Sequence, residues 1–149
     1  MEIRKAHQSE LSTLADFQQK MAKETEGLEL NQETLSKGVA AVFNDSNKGI
    51  YYVATEDNTI IASLLITYEW SDWRNGQVYW IQSVYVLPEH RGKGVYKAMY
   101  LHLKNEVEQN PEILGLRLYV EKDNANAQKV YTKLGMDGQH YKMFEWFGK

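Results

Sequence analysis

Apolar residues recur at helical spacing in two segments near the start of the chain. After Ser9, which is placed to cap a helix, the positions Leu11, Leu14, Ala15, Gln18, Met21 and Ala22 largely keep helical spacing. Gly27 ends this pattern. Asn31 is placed to cap a second helix, whose face carries Leu35, Val39, Val42 and Phe43 at i, i+4, i+7 and i+8. Two amphipathic helices are therefore predicted before the main sheet.

The next part of the chain changes to β-rich runs separated by short polar turns. Residues 1–6 predict a first short strand, and residues 50–55, 60–69 and 77–86 predict three more. The turns at residues 44–49, 56–59 and 70–76 are rich in Asn, Asp and Gly, which favour tight reversals. Short connections between consecutive strands predict antiparallel pairing for the last three.

The last third of the chain predicts helix, strand, helix and strand. Val95, Met99, Leu103 and Val107 repeat at i+4 until residues 110–111, where a proline disfavours further helix. Residues 114–120 predict a strand, which implies a parallel, right-handed crossover from the strand at 77–86. Asp123 or Asn124 caps a last helix that stops at Gly135, and residues 141–147 predict a closing strand.

The junction at residues 83–100 carries the first candidate chemistry. A strand stops at Pro88, a polar turn holds Arg91, Gly92, Lys93 and Gly94, and a helix begins at once. The first amides of a helix have no partner within the helix and lie at the positive end of its dipole. Glycines allow the backbone to approach an anion, and the two cations add charge-assisted contacts. This turn therefore predicts a phosphate site.

Composition limits the class of partner. The chain has 149 residues with a net charge of −3, so we expect one domain that does not bind nucleic acid. No apolar run is long enough to span a membrane and no signal-peptide pattern begins the sequence, so a cytoplasmic protein without a membrane partner is expected. Without cysteine there is no thiol nucleophile, and the four histidines show no ligand spacing, so no metal is expected.

Two motifs resemble the GNAT superfamily of N-acetyltransferases. The first, V-x-P-x-x-R-G-x-G, is formed by Val86, Pro88, Arg91, Gly92 and Gly94. The second, V-x-x-x-N-x-x-A-x-x-x-Y-x-x-x-G-[FM], is formed by Val120, Asn124, Ala127, Tyr131, Gly135 and Met136. The resemblance implies a single α+β domain over residues 1–149. Its sheet would be mixed and mostly antiparallel, with six to seven strands, a central parallel pair and about four flanking helices.

The resemblance further implies acetyl-CoA as the co-substrate. Its pyrophosphate would lie on the glycine turn and its pantetheine arm would pair with the strand before that turn, like an added strand. The implied cofactor-binding residues are Val84, Tyr85, Val86, Arg91, Gly92, Lys93, Gly94, Val95, Tyr96, Lys97, Asn124 and Tyr131. Tyr96 departs from the family pattern, which has Gly or Ala there, so its ring either flanks the cofactor or points into the core.

For catalysis, the resemblance implies that Tyr131 protonates the departing thiolate, since a phenol still holds its proton at neutral pH. The glutamate that some members carry on the fifth strand is replaced here by Tyr119. Glu24 and Glu26 are the candidate bases, with Glu121 a weaker one. Further candidate substrate-binding residues are Trp70, Trp73, Gln82 and Ser83, in addition to Glu24 and Glu26.

These patterns favour an enzyme that acetylates a small or peptidic amine by direct attack in a ternary complex, and they are compatible with a homodimer. A non-catalytic module that binds or senses acyl-CoA is the alternative. A P-loop nucleotide-binding protein is disfavoured, because the turn lacks the G-x-x-x-x-G-K-[ST] spacing.

Overall fold

The computed structural model describes residues 1–149 and divides the chain into two compact units, residues 1–117 and 118–149. The first unit contains five strands and three helices. In chain order these are β1 (Glu2–Lys5), α1 (Leu11–Glu26), α2 (Gln32–Asn44), β2 (Ile50–Glu56), β3 (Thr59–Ser71), β4 (Gly76–Val86), α3 (Val95–Gln109) and β5 (Ile113–Arg117). The second unit contains one helix, α4 (Ala125–Lys133).

The sheet has the order β1-β2-β3-β4-β5. The first three pairs are antiparallel, and β4 and β5 are parallel, connected by α3. The predicted mixed α+β fold is therefore confirmed, with four helices. The strand count is five instead of six to seven, and the parallel pair lies at one side of the sheet instead of its centre.

The faces of the sheet follow from the alternation of side chains along β2. Tyr51 and Val53 point to one face, where they form a buried cluster with Leu14, Ala15 and Val39 from α1 and α2. Tyr52 points to the other face, where its hydroxyl donates to Glu106 Oε2 of α3 at 2.6 Å. The sheet is thus covered by α1 and α2 on one face and by α3 on the other.

The predicted helix ends at Gly27 and Asn31 are confirmed, and the predicted start at Ser9 is not. Gly27 ends α1 in the left-handed region, and Asn31 caps α2 by accepting from Thr34 N at 2.9 Å. The prediction that Ser9 caps the first helix is wrong, because a short 3₁₀ turn over Gln8–Glu10 precedes α1. Glu10 fixes this turn by accepting from His7 N at 2.8 Å and from the guanidinium of Arg4.

The prediction of a closing strand is also wrong. Residues 141–147 are rich in aromatic side chains, which favour strands, but they form none, and Phe144 and Trp146 are 94% and 88% exposed. A strand requires a hydrogen-bonded neighbour, which the periodicity of one segment cannot guarantee. β5 is likewise shorter than the predicted 114–120, because its pairing with β4 ends at Arg117.

Candidate active site

The candidate site begins at an irregularity in β4. The register of β3 against β4 shifts between Ser63 and Leu65, which leaves an extra residue in β4. Ser83 lies at this bulge with a φ of 52°, a left-handed conformation that is uncommon for a residue other than glycine. Bulges of this kind bend a strand and redirect its backbone groups, and they are frequent beside active sites.

On its other side, β4 loses its neighbour before it ends. The parallel pairing with β5 stops at Trp80 and Arg117, so β5 does not continue beside residues 81–86. This is the splaying that an added, strand-like ligand requires, because pairing with β5 would occupy the same backbone groups. On this side, the second half of β4 therefore has no pairing with β5.

The glycine turn follows directly from this half-strand. Gly92 and Gly94 have φ values of 73° and 79°, and a side chain placed on either would meet no atom within 4 Å. Gly94 is the N-cap of α3 and provides no side-chain cap, so the first amides of α3 are not satisfied by a capping side chain. The turn thus combines open space with amides that no side chain caps at the positive end of a helix, which fits a phosphate group.

The cations of the turn differ in their surroundings. The side chain of Arg91 is held by three contacts. Its Nε donates to Val86 O at 2.8 Å and its NH2 pairs with Glu24 at 2.8 Å. Its guanidinium lies 5.3 Å from the centre of the Tyr85 ring. Lys93 and Lys97 are exposed. Lys93 and Lys97 are therefore the cations of the turn that can approach an anion without first breaking an ion pair.

Tyr96 points inward. Its hydroxyl is buried and its ring centre lies 6.5 Å from that of Tyr100. The side chain as a whole is half-buried.

Glu24 is held at the end of α1 by two groups. It accepts from Arg91 at 2.8 Å and from the hydroxyl of Tyr85 at 3.0 Å. The Arg91 guanidinium lowers the pKa of this carboxyl below its ordinary value, and the Tyr85 hydroxyl acts in the same direction. A carboxylate held in this way is a weaker proton acceptor, so Glu24 is better suited to connect α1 with the glycine turn than to act as a base.

An open cavity of about 480 Å³ lies between α1, α2, β2 and the β4 bulge. Most of its wall is apolar, and the polar members include Glu26 and Ser83. The lining residues are Gln18, Met21, Ala22, Thr25, Glu26, Leu30, Leu35, Gly38, Val39, Tyr51 and Ser83. Because Ser83 lies at the bulge and Glu26 at the end of α1, the cavity brings a candidate base and the irregular part of β4 into one space.

The second unit contains the other motif. Asn124 caps α4, since its Oδ1 accepts from Ala127 N at 3.1 Å. Gly135 ends the helix with a φ of 90°, and Met136 N donates to Tyr131 O at 3.0 Å. Burial raises the pKa of the Tyr131 hydroxyl above its ordinary value, so this phenol keeps its proton at neutral pH.

Some predicted substrate-binding residues are not brought to the cavity. Trp70 lies near the end of β3 and Trp73 in the turn that follows it. Both are at the opposite end of β4 from Ser83, and they are 61% and 92% exposed. Gln82 is adjacent to the bulge, but its amide donates to the hydroxyl of Thr67. The geometry gives no support to a substrate wall made of these tryptophans.

Sequence reasoning missed most of the cavity wall. Gln18 and Tyr51 were assigned to a helix face and a strand, and neither was singled out as a site residue. The polar side chain on an otherwise apolar helix face was the available signal for Gln18. Elsewhere, no group of three or more His, Asp or Glu side chains is arranged to hold a metal ion, and no helix is long and apolar enough to cross a membrane.

Comparison with known proteins identifies the class of protein. The Acetyltransferase (GNAT) family matches residues 12–136. A protein described as a possible acetyltransferase from Clostridium difficile 630 is 46% identical, with a TM-score of 0.92, over 98% of this chain and 96% of that chain. A predicted acetyltransferase from Clostridium acetobutylicum, solved with acetyl-CoA, is 25% identical, with a TM-score of 0.74, over 97% and 95% of the two chains.

A more distant structure shares the fold alone. Glucosamine-6-phosphate N-acetyltransferase from Arabidopsis thaliana is 20% identical, with a TM-score of 0.72, over 98% of this chain and 97% of that chain. No curated protein matches the sequence. The matches together define an acetyltransferase. More narrowly, the chain belongs to the GNAT family, and this membership supports acetyl transfer from acetyl-CoA.

Proposed function

We propose that this protein transfers the acetyl group of acetyl-CoA to a primary amine that binds in the cavity beside the β4 bulge. The observation that carries the proposal is the continuity of three features along one stretch of chain. These are the bulge at Ser83, the half-strand without a β5 neighbour, and the left-handed glycine turn at the start of α3. The cavity reaches the bulge at Ser83, where the reacting ends of the two substrates would meet.

The acetyl donor would be held mainly by backbone groups. Backbone amides at the start of α3 and the side chains of Lys93 and Lys97 would hold the phosphates, and the second half of β4 would pair with the pantetheine arm. Arg91 would act indirectly, by fixing the turn against α1 through Glu24. From the family resemblance, Asn124 would contact the arm, and its side-chain NH2 remains available when Oδ1 caps α4.

The chain's residues would then move two protons. Acetyl-CoA supplies the thioester, whose carbon forms a bond with the amine nitrogen while its bond to sulfur breaks. A β4 amide near Val84 or Tyr85 would stabilise the charge that develops on the carbonyl oxygen. Glu26, directly or through water, would accept the proton that the amine loses, and Tyr131 would donate a proton to the departing thiolate. No acyl-enzyme is required, and the chain has no cysteine to form one.

A panel of primary amines tests this function. Release of CoA thiol from acetyl-CoA should rise above the background rate when an accepted amine is added, and the product should gain the mass of one acetyl group. Tight CoA binding with no acetylation of any amine would instead support the non-catalytic acyl-CoA module.

The choice of base gives a separate prediction. We expect Glu26→Gln to lower kcat/KM at neutral pH by roughly 10²-fold, at the lower end of the effect of general base catalysis. Glu24→Gln should have a smaller effect on kcat/KM, because the Glu24 carboxylate is already engaged by Arg91 and Tyr85.

The measurement is the pH dependence of kcat/KM for both variants and the wild type. In the wild type the rate should fall at acid pH as the amine is protonated. A Glu24→Gln variant that is slower than Glu26→Gln, with normal CoA affinity, would reverse the assignment.

A further inference from the structure

Gln18 is an anomaly in the wall of the cavity. It lies on the face of α1 that also carries Leu14 and Ala15, and it is only 7% exposed. Its Nε2 is buried and makes no hydrogen bond. The adjacent Gln19 shows the usual situation, since its amide group donates to Leu30 O at 2.7 Å and accepts from Leu30 N at 2.9 Å.

An unmade hydrogen bond at this position is costly. A buried donor without a partner loses its interactions with water and receives nothing in return, so such groups are rare in folded proteins. Leucine or methionine would fill the same position on the helix without that cost. Gln18 is one of the residues that line the cavity, so a rotation of its side-chain amide would bring this donor to a molecule bound there.

The remaining wall restricts the chemistry of that partner. Met21, Leu30, Leu35 and Val39 offer apolar surface, and the lining contains one carboxylate, Glu26, and no Lys or Arg. A buried carboxylate on the substrate would therefore lack a cation and would be repelled by Glu26. A neutral carbonyl oxygen can accept a hydrogen bond from the Gln18 amide without being repelled by Glu26.

We propose that Gln18 is a specificity-determining residue whose amide donates to a neutral carbonyl oxygen of the acceptor. The acceptor class is then a primary amine that carries an apolar side chain and an amide carbonyl, as in an aminoacyl amide or a peptide N-terminus. This inference rests on the proposed function, because it assigns the cavity to the amine substrate.

Two probe amines that differ at the carbonyl test the proposal. Leucinamide and isoamylamine carry the same branched alkyl group, but only leucinamide has the carboxamide. Their amino groups differ in pKa, so the measured quantity is the ratio of their kcat/KM values in the Gln18→Leu variant relative to the same ratio in the wild type. We expect Gln18→Leu to lower the leucinamide preference about tenfold, with isoamylamine turnover equal or improved.

Controls separate this role from a structural one. Gln109→Leu makes the same replacement at an exposed position of α3 and should leave the ratio unchanged. If Gln18→Leu does not fold, as judged by thermal unfolding, Gln18→Met preserves the length of the side chain and carries the same expectation. Free leucine, measured beside leucinamide, should be the poorer substrate at a pH where the neutral fractions of the two amines are matched.

The possible failures are distinguishable. An unchanged ratio in a folded Gln18 variant that acetylates both amines would overturn the role of Gln18 and leave the proposed function intact. A loss of turnover by the same factor for both amines would also overturn it, since that result indicates a structural role. Failure of the wild type to acetylate any amine would overturn the proposed function itself.

Discussion

Replacing Tyr131 by phenylalanine is expected to lower kcat by about 100-fold, with little change in the affinity for CoA. The ring and its packing are preserved, so only the hydroxyl and its proton are lost. Burial raises the pKa of this hydroxyl above its ordinary value of about 10, so it is protonated over the whole neutral range and can serve as the acid. For the same reason, no decline in rate caused by ionisation of Tyr131 is expected below about pH 10.

The measurement is single-turnover kinetics with a good amine substrate, under conditions in which the chemical step limits the rate. Tyr141→Phe provides a matched control, because this tyrosine is 82% exposed and lies outside both motifs. A kcat within about twofold of the wild type in Tyr131→Phe would remove Tyr131 from the mechanism and leave water as the proton source.

Gly94→Glu is expected to abolish measurable CoA binding while the protein remains folded. A side chain at this position meets no atom within 4 Å, so the fold tolerates its volume. Its carboxylate would lie at the start of α3, where phosphate charge is proposed to bind, and repulsion would replace attraction. The positive φ of 79° adds backbone strain on the order of 1 to 3 kcal/mol for any residue with a Cβ.

Gly94→Lys separates charge from strain, because it imposes the same backbone cost with the opposite charge. Calorimetric titration with CoA should show binding in Gly94→Lys that is weaker than in the wild type but at least tenfold tighter than in Gly94→Glu. Equal affinities in the two variants would show that the charge at this position is irrelevant, and an unchanged affinity in both would place the phosphates elsewhere.

The sequence was most informative where local rules determine structure. Asn31 and Gly27 were read correctly because an Asx cap and a left-handed glycine depend on residues within one turn of helix. The glycine turn was found for the same reason, since Gly92 and Gly94 adopt the positive φ values that glycine permits at little cost. The two family motifs then predicted the mixed α+β fold of the whole chain.

Properties that depend on distant residues were not predictable. The pairing of Glu24 with Arg91 joins residues 67 positions apart, and it changes the interpretation of both side chains. The bulge at Ser83 could not be predicted from the sequence, because it arises from the register of β4 against β3. The strand expected at residues 141–147 does not form, because aromatic composition favours a strand but cannot supply the neighbouring strand with which it would pair.

The hydrogen bonds between Gln19 and Leu30 have a consequence for how this protein can change over evolution. They attach the connection between α1 and α2 to the body of α1 through the side chain of Gln19, which does not line the cavity. The neighbouring wall positions Met21, Leu30 and Leu35 are only partly buried, whereas core positions such as Leu64 are fully buried. Substitutions in the wall therefore cost less folding free energy than substitutions in the core. New amine preferences can arise in this wall while the sheet and the glycine turn are inherited unchanged.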